Sequence, residues 1–175
     1  MAKTTASIEL GDLLLLLKPF MADEKFKKNG NYFRRVTDDG LTQVVQFQKS
    51  SFGSADEGQF AVNLGVAIPE VHRHFQPERP IDKVSDVDCH IQARLGMLAT
   101  GGQDVWWPTQ GAAGLRSEME AILAKTGLPF LASFSRRDQI LAHIRQCDVV
   151  VPYIPYHPSV IEAIILNARG QPDAS

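Results

Sequence analysis

The sequence predicts an α+β fold: a twisted antiparallel sheet of about four or five strands, helices packed on one face of it, and a helical C-terminal third. Three observations lead there. Gln43 to Ser51, reading Gln-Val-Val-Gln-Phe-Gln-Lys-Ser-Ser, alternates apolar and polar residues at the period of a strand. Further strand-like runs lie on either side of it, divided by turn signals such as Asn29-Gly30 and Asp39-Gly40. From Leu115 onward the apolar residues recur at helical spacing instead.

The Gln43 to Ser51 strand sets the geometry. Its period places Val45 and Phe47 on one face, toward a core, and Val44, Gln46, Gln48 and Ser50 on the other. Ahead of it, residues 7 to 18 read as a helix with Ser7 as N-cap and Glu9 and Asp12 near its positive end. Ile8, Leu10, Leu13, Leu14 and Leu17 form its apolar face, and Pro19 is the stop signal. Asn29-Gly30 marks a hairpin, and Asp39-Gly40 turns the chain into the central strand. Residues 59 to 67 and 88 to 97 supply two more strands. Between these two, residues 69 to 87 hold three prolines and no clear period, and read as a long irregular connection.

Residues 99 to 113 form a second, Gly-rich loop containing Trp106-Trp107-Pro108, where one indole plugs the core and the other lies at the surface. Leu115, Met119, Ile122 and Leu123 share a helix face, with Gly127 just past its end. Ser135 and Asp138 resemble a capping box ahead of Ile140, Leu141 and Ile144. Pro158 opens a last helix, whose stripe of Val160, Ile161, Ile164, Ile165 and Ala168 reaches Gly170. That stripe reads as intramolecular packing first, and a homodimer stays open.

Composition narrows the function. The 175 residues, 44% hydrophobic and 22% charged, suit one globular domain covering residues 1 to 175. A net charge of -2 gives no general pull toward nucleic acid or anionic membrane. The leucine run 13 to 17 is too short to span a bilayer, and Glu9 and Asp12 before it are wrong for a signal peptide. With two cysteines, Cys89 and Cys147, reduced thiols in the cytoplasm are the simpler expectation.

One set of residues resembles a known family. The order Phe26-Lys27-Lys28-x-Gly30-x-x-Phe33-x-Arg35, then Gln46-Phe47-Gln48-Lys49-Ser50, then Phe60-x-x-Asn63-Leu64-Gly65, then Trp106-Trp107, is similar to the bacterial domain-of-unknown-function family 4304. The likeness covers about residues 8 to 145, with residues 146 to 170 as a helical extension. It implies a bacterial origin and a small α+β domain, and no activity. The family usually has Gly before the Phe-Lys-Lys element, where this chain has Lys25.

The candidate site is the polar face of the sheet. Clean alternation points Arg34, Gln46, Gln48, Asn63, His90, Gln92 and Arg94 the same way. Two arginines, a histidine and several amides suit an anion, a small polar ligand or a peptide held by directed hydrogen bonds. Wet polar faces are also ordinary in antiparallel sheets. The leading expectation is therefore a non-catalytic binding module for a protein or a small polar or anionic ligand. The alternative is an enzyme using His90 with Arg94 or Arg34. No nucleophile elbow, phosphate-binding loop or His-Glu-x-x-His occurs.

Cys89 and His90, as strand neighbours, should diverge, with Cys89 in the core. His72-x-His74 with Asp88, Cys89 and His90 offers metal donors, but at no familiar spacing and partly in a loop, so neither a metal nor a cofactor is expected. A basic cluster of Lys25, Lys27, Lys28, Arg34, Arg35 and Lys49, with Tyr32 beside it, is diluted by Asp23, Glu24, Asp38 and Asp39. Nucleic acid is therefore not expected as a partner.

Overall fold

A computed structural model describes residues 4–50, 58–146 and 154–170. Cys147, and with it any pairing of the two cysteines, lies outside the described residues. The sheet is antiparallel throughout, in the order β1 (Lys27–Asn29), β2 (Tyr32–Val36), β3 (Thr42–Lys49), β4 (Gln59–Ala67) and β5 (Ile91–Arg94). A two-residue strand, β6 (Trp107–Pro108), adds to the start of β4. The α+β expectation holds, and β3 and β4 fall where the alternation puts them. Both predicted turns carry a glycine at positive φ, Gly30 at 59° and Gly40 at 76°.

The inner face of the sheet is aromatic. Phe33, Phe47, Phe60 and Trp107 run diagonally across β2, β3, β4 and β6 with ring centroids 6.0, 5.9 and 5.9 Å apart. Helix α1 (Thr5–Asp23) covers this face with Leu10, Leu13, Leu14, Leu17 and Met21, whose spacing is one helical stripe. Gln43 is fully buried among these side chains. Its Nε2 donates to Leu131 O at 2.6 Å and its Oε1 accepts from Arg35 Nε at 2.8 Å, so the amide is satisfied on both sides.

Pro19 does not end α1, which runs on to Asp23. Proline frees the carbonyl four residues back, here that of Leu15, a residue 60% exposed, while the buried Leu17 and Met21 anchor the helix on either side. Ile8 is half exposed and lies off the buried stripe, and the N-cap is Thr4 rather than Ser7.

The helix ends instead in a Schellman turn. Phe26 N–H donates to Met21 O and Lys25 N–H to Ala22 O, both at 2.9 Å, and Phe26 packs with Met21 in the core. Lys25 is the one described non-glycine residue at positive φ, 65°. It stands where glycine is expected, and the turn keeps glycine's geometry at the expense of strain. Lys25→Gly is expected to stabilise the fold by about 0.5–1 kcal/mol, the relief of a left-handed Cβ less the entropy glycine gains when unfolded. A higher urea midpoint at unchanged slope checks this.

The second half departs from expectation at four places. Residues 69 to 75 are not loop but helix α2 (Pro69–Phe75), with proline at its first turn, so His72 and His74 are helical. The predicted strand 88 to 97 is split into β5 and helix α3 (Leu95–Thr100). Helices α4 (Arg116–Ile122) and α5 (Leu128–Ala132) are joined by a π-turn at Leu123–Gly127, so Gly127 lies inside the run and not beyond it. A Cβ there would meet Leu123 at 3.2 Å and Leu95 at 3.3 Å, so the residue is small because α3 packs against it. The cap of α6 (Arg137–Gln146) is Gln139, whose Oε1 accepts from Ser135 N, Ser135 Oγ and Arg136 N, while Asp138 pairs with Arg169.

Arg137 fastens α6 to the sheet. Its N–H meets Asp39 Oδ2 at 2.6 Å and its guanidinium grips both oxygens of Glu70 on α2. Helix α7 (Pro158–Gly170) buries Ile161 and Ile165, while Val160 is 39% exposed.

Candidate functional site

The outer face of the sheet is laid out in two cross-strand rows. Register pairs Tyr32 with Gln46, Gln46 with Asn63 and Asn63 with Arg94. The next row is Arg34, Val44, Gly65 and Gln92. Six of the seven sequence-predicted residues, all but His90, therefore share one face, as period 2 requires.

Most of these side chains hold down the chain's own segment 84–90. Arg34 Nε donates to Val84 O at 2.7 Å, with its guanidinium 4.4 Å from the Tyr32 ring. Gln92 Nε2 donates to Cys89 O at 2.8 Å. The segment closes on Gly65, where a Cβ would stand 2.5 Å from Cys89 Sγ. Val44, Ala67, Val84 and Cys89 make a small second core there.

Asp86 is the residue that sequence reasoning missed. Asn63 Nδ2 lies 2.8 Å from Asp86 Oδ2 and 2.8 Å from Gln48 Oε1, two acceptors for its two hydrogens. Gln46 turns its nitrogen to Asp86 Oδ2 at 2.8 Å, with its oxygen accepting from Tyr32 O–H at 3.0 Å. Burial raises the Asp86 carboxyl, and hydrogen bonds from backbone and Asn63 only partly offset this. The available signal was Ser85-x-x-Asp88, a capping box that sets the turn carrying Asp86. Burial would raise Asp88 too, but its bonds from Ser85 and its pairing with Arg79 hold it below the ordinary value.

Cys89 and His90 diverge as expected, and Cys89 is a core residue of that second cluster, but His90 does not reach the polar face. The ladder begins only at Ile91 and the chain bends at His90, so the alternation does not extend back to either residue. Cys89 lies under the outer face with its thiol donating to Ser85 O, and burial pushes its pKa well up. His90 turns under α2, fully buried, with ring centroids 6.4 Å from His72 and 5.6 Å from Tyr156. Its Nδ1 accepts from Ile68 N–H at 2.9 Å, and burial, with His72 beside it, lowers its pKa to about 4. It therefore does not join Arg34 or Arg94. His72 is not solvated but 3% exposed, bonded to Arg79 O. Among the described residues, no three His, Cys, Asp or Glu side chains gather as metal ligands.

A cleft of about 480 Å³ stays open beside this network. Gln48, Asn63, Asp86, Gln92 and Arg94 supply its polar wall, and Val87, Ala93, Met97 and Leu98 its apolar one. Val87 is 71% exposed and Met97 38%. Arg94 is braced at the rim by Asp104 at 3.2 Å and by the Trp106 ring at 4.8 Å. Trp107, by contrast, is buried in β6.

These features define a small α+β domain whose single antiparallel sheet is backed by helices and carries a cleft on its outer face. The chain belongs to the family described as a domain of unknown function, DUF4304, whose family model matches residues 17–133. The match takes in the sheet and α1 from Leu17 onward, and ends before α6 and α7. No curated protein and no solved structure matches the chain. No described helix is long and apolar enough to cross a membrane.

Proposed function

We propose that the protein is a non-catalytic binding module, cytoplasmic and bacterial, that takes a small neutral polar ligand in the cleft beside Asn63. What supports this reading is the cleft itself: about 480 Å³, the size of small-molecule sites, with one apolar wall and one wall of amides. Its two charged groups already have partners within the protein. Arg94 is paired with Asp104, and Asp86 is engaged by Asn63 and Gln46. A neutral amide or hydroxyl on an apolar body suits such a wall better than an anion does. Gln48 Oε1 accepts from Asn63, so the nitrogen of that amide is the half a ligand meets.

The test is affinity capture from the native cell with wild type and Gln48→Ala in parallel, read by mass spectrometry of retained small molecules and proteins. The expected result is one compound retained by wild type and bound about tenfold more weakly by Gln48→Ala, the loss of one good hydrogen bond. Retention of the same compounds by both proteins would count against the cleft.

A further inference from the structure

A second concavity lies at the β1 edge of the sheet, about 540 Å³ in volume. Lys25, Lys27, Lys28, Arg34 and Arg35 line it, with Asp82 as its one acidic wall residue. The β1–β2 register sets Lys27 directly opposite Arg34, so two of the cations meet across one strand pair. The sixth member of the sequence-level basic cluster, Lys49, is elsewhere, bonded to Thr4 and Ser7 at the start of α1.

The cations are held in place by neutral groups more than by acids. Arg35 stacks on Phe26 and donates to Gln43 and to Glu24 O. Arg34 is fixed by Val84 O and Tyr32, and Lys28 by Gly30 O. Among the described residues, Arg35 alone of the five pairs with a carboxylate, Glu24 at 3.5 Å. Five cations therefore line a groove with one carboxylate in its wall, Asp82, in a chain whose net charge is -2.

We propose that this groove binds a small phosphorylated molecule bearing three or more negative charges, through Lys27, Lys28 and the fixed guanidinium of Arg34. Lysine supplies mobile point charges and arginine a planar fork, the pair of donors that phosphate oxygens take. The volume holds a compact ligand, and phosphate esters or anhydrides give that charge density within it. A long polyanion fits less well. Asp23 and Asp38 flank the groove in sequence and are exposed, so a strand running out of it meets negative charge. This site is independent of the cleft beside Asn63.

The experiment titrates the full chain with inorganic tripolyphosphate, citrate and a single-stranded RNA 12-mer, by calorimetry at about 100 mM salt. Saturable tripolyphosphate binding below about 1 mM is expected, weakened about tenfold or more in K27E/K28E and unchanged in Gln48→Ala. If K27E/K28E misfolds by circular dichroism, K27Q/K28Q replaces it, with a smaller loss in the same direction. Absence of saturable tripolyphosphate binding overturns the proposal, and so does an affinity indifferent to these lysines. Equal binding of citrate overturns the phosphate assignment, and tighter binding of the RNA would make the groove a nucleic-acid site.

Discussion

Phe47→Ala is expected to destabilise the fold by about 3–5 kcal/mol, the usual cost of truncating a buried aromatic. Phe47 is fully buried and sits between Phe33 and Phe60 in the aromatic diagonal. The cavity would therefore open inside a row of rings fixed on separate strands, which cannot easily close over it. Gln48, one residue on, points to the outer face and is half-buried. Gln48→Ala should cost under about 1 kcal/mol, the worth of its single bond from Asn63. Urea melts of both variants decide the register. A larger loss from Gln48→Ala would mean that β3 is turned over, because a one-residue slip exchanges the faces.

Gly65→Ala should cost about 1–3 kcal/mol, the range for forcing volume into a filled site. The added Cβ would stand 2.5 Å from Cys89 Sγ and 2.8 Å from Cys89 Cβ, so segment 84–90 has to lift. Cys89→Ala removes the sulfur and is expected to recover part of the loss, a coupling that a double-mutant cycle measures. In a Cys147→Ser background, Gly65→Ala should also make the Cys89 thiol accessible to a thiol reagent in native buffer. An unchanged melting curve and an inert thiol would show that the segment is not seated on Gly65.

The sheet was legible because its signals are local. The alternation of β3, the two glycine turns and the run from Phe60 to Ala67 need nothing distant to be read. The misses depend on what lies nearby in space. Pro19 reads as a stop until Leu15 is known to be exposed. Gly127 reads as a helix end until Leu95 is seen packed against it. The site was legible in the same uneven way. Arg34, Gln46, Gln48, Asn63, Gln92 and Arg94 follow from alternation, and His90 does not, because the chain bends there. Nothing local shows that Asp86 occupies the middle of that polar face, for it arrives from an irregular stretch.

The shortness of the outermost strands decides how this molecule can meet others. One rim of the sheet is three residues of β1, with Lys27 and Lys28 on it; the other is four residues of β5, cut off by the His90 bend and by α3. An incoming backbone would find few unpaired amides to ladder onto, and at one end it would meet ammonium groups. Growth of the sheet from molecule to molecule, the route by which exposed strands seed fibres, is closed off at both ends. Self-association would then have to rest on side chains rather than on strand pairing, and the partly exposed Val160 and Leu166 of α7 are apolar surface of that kind.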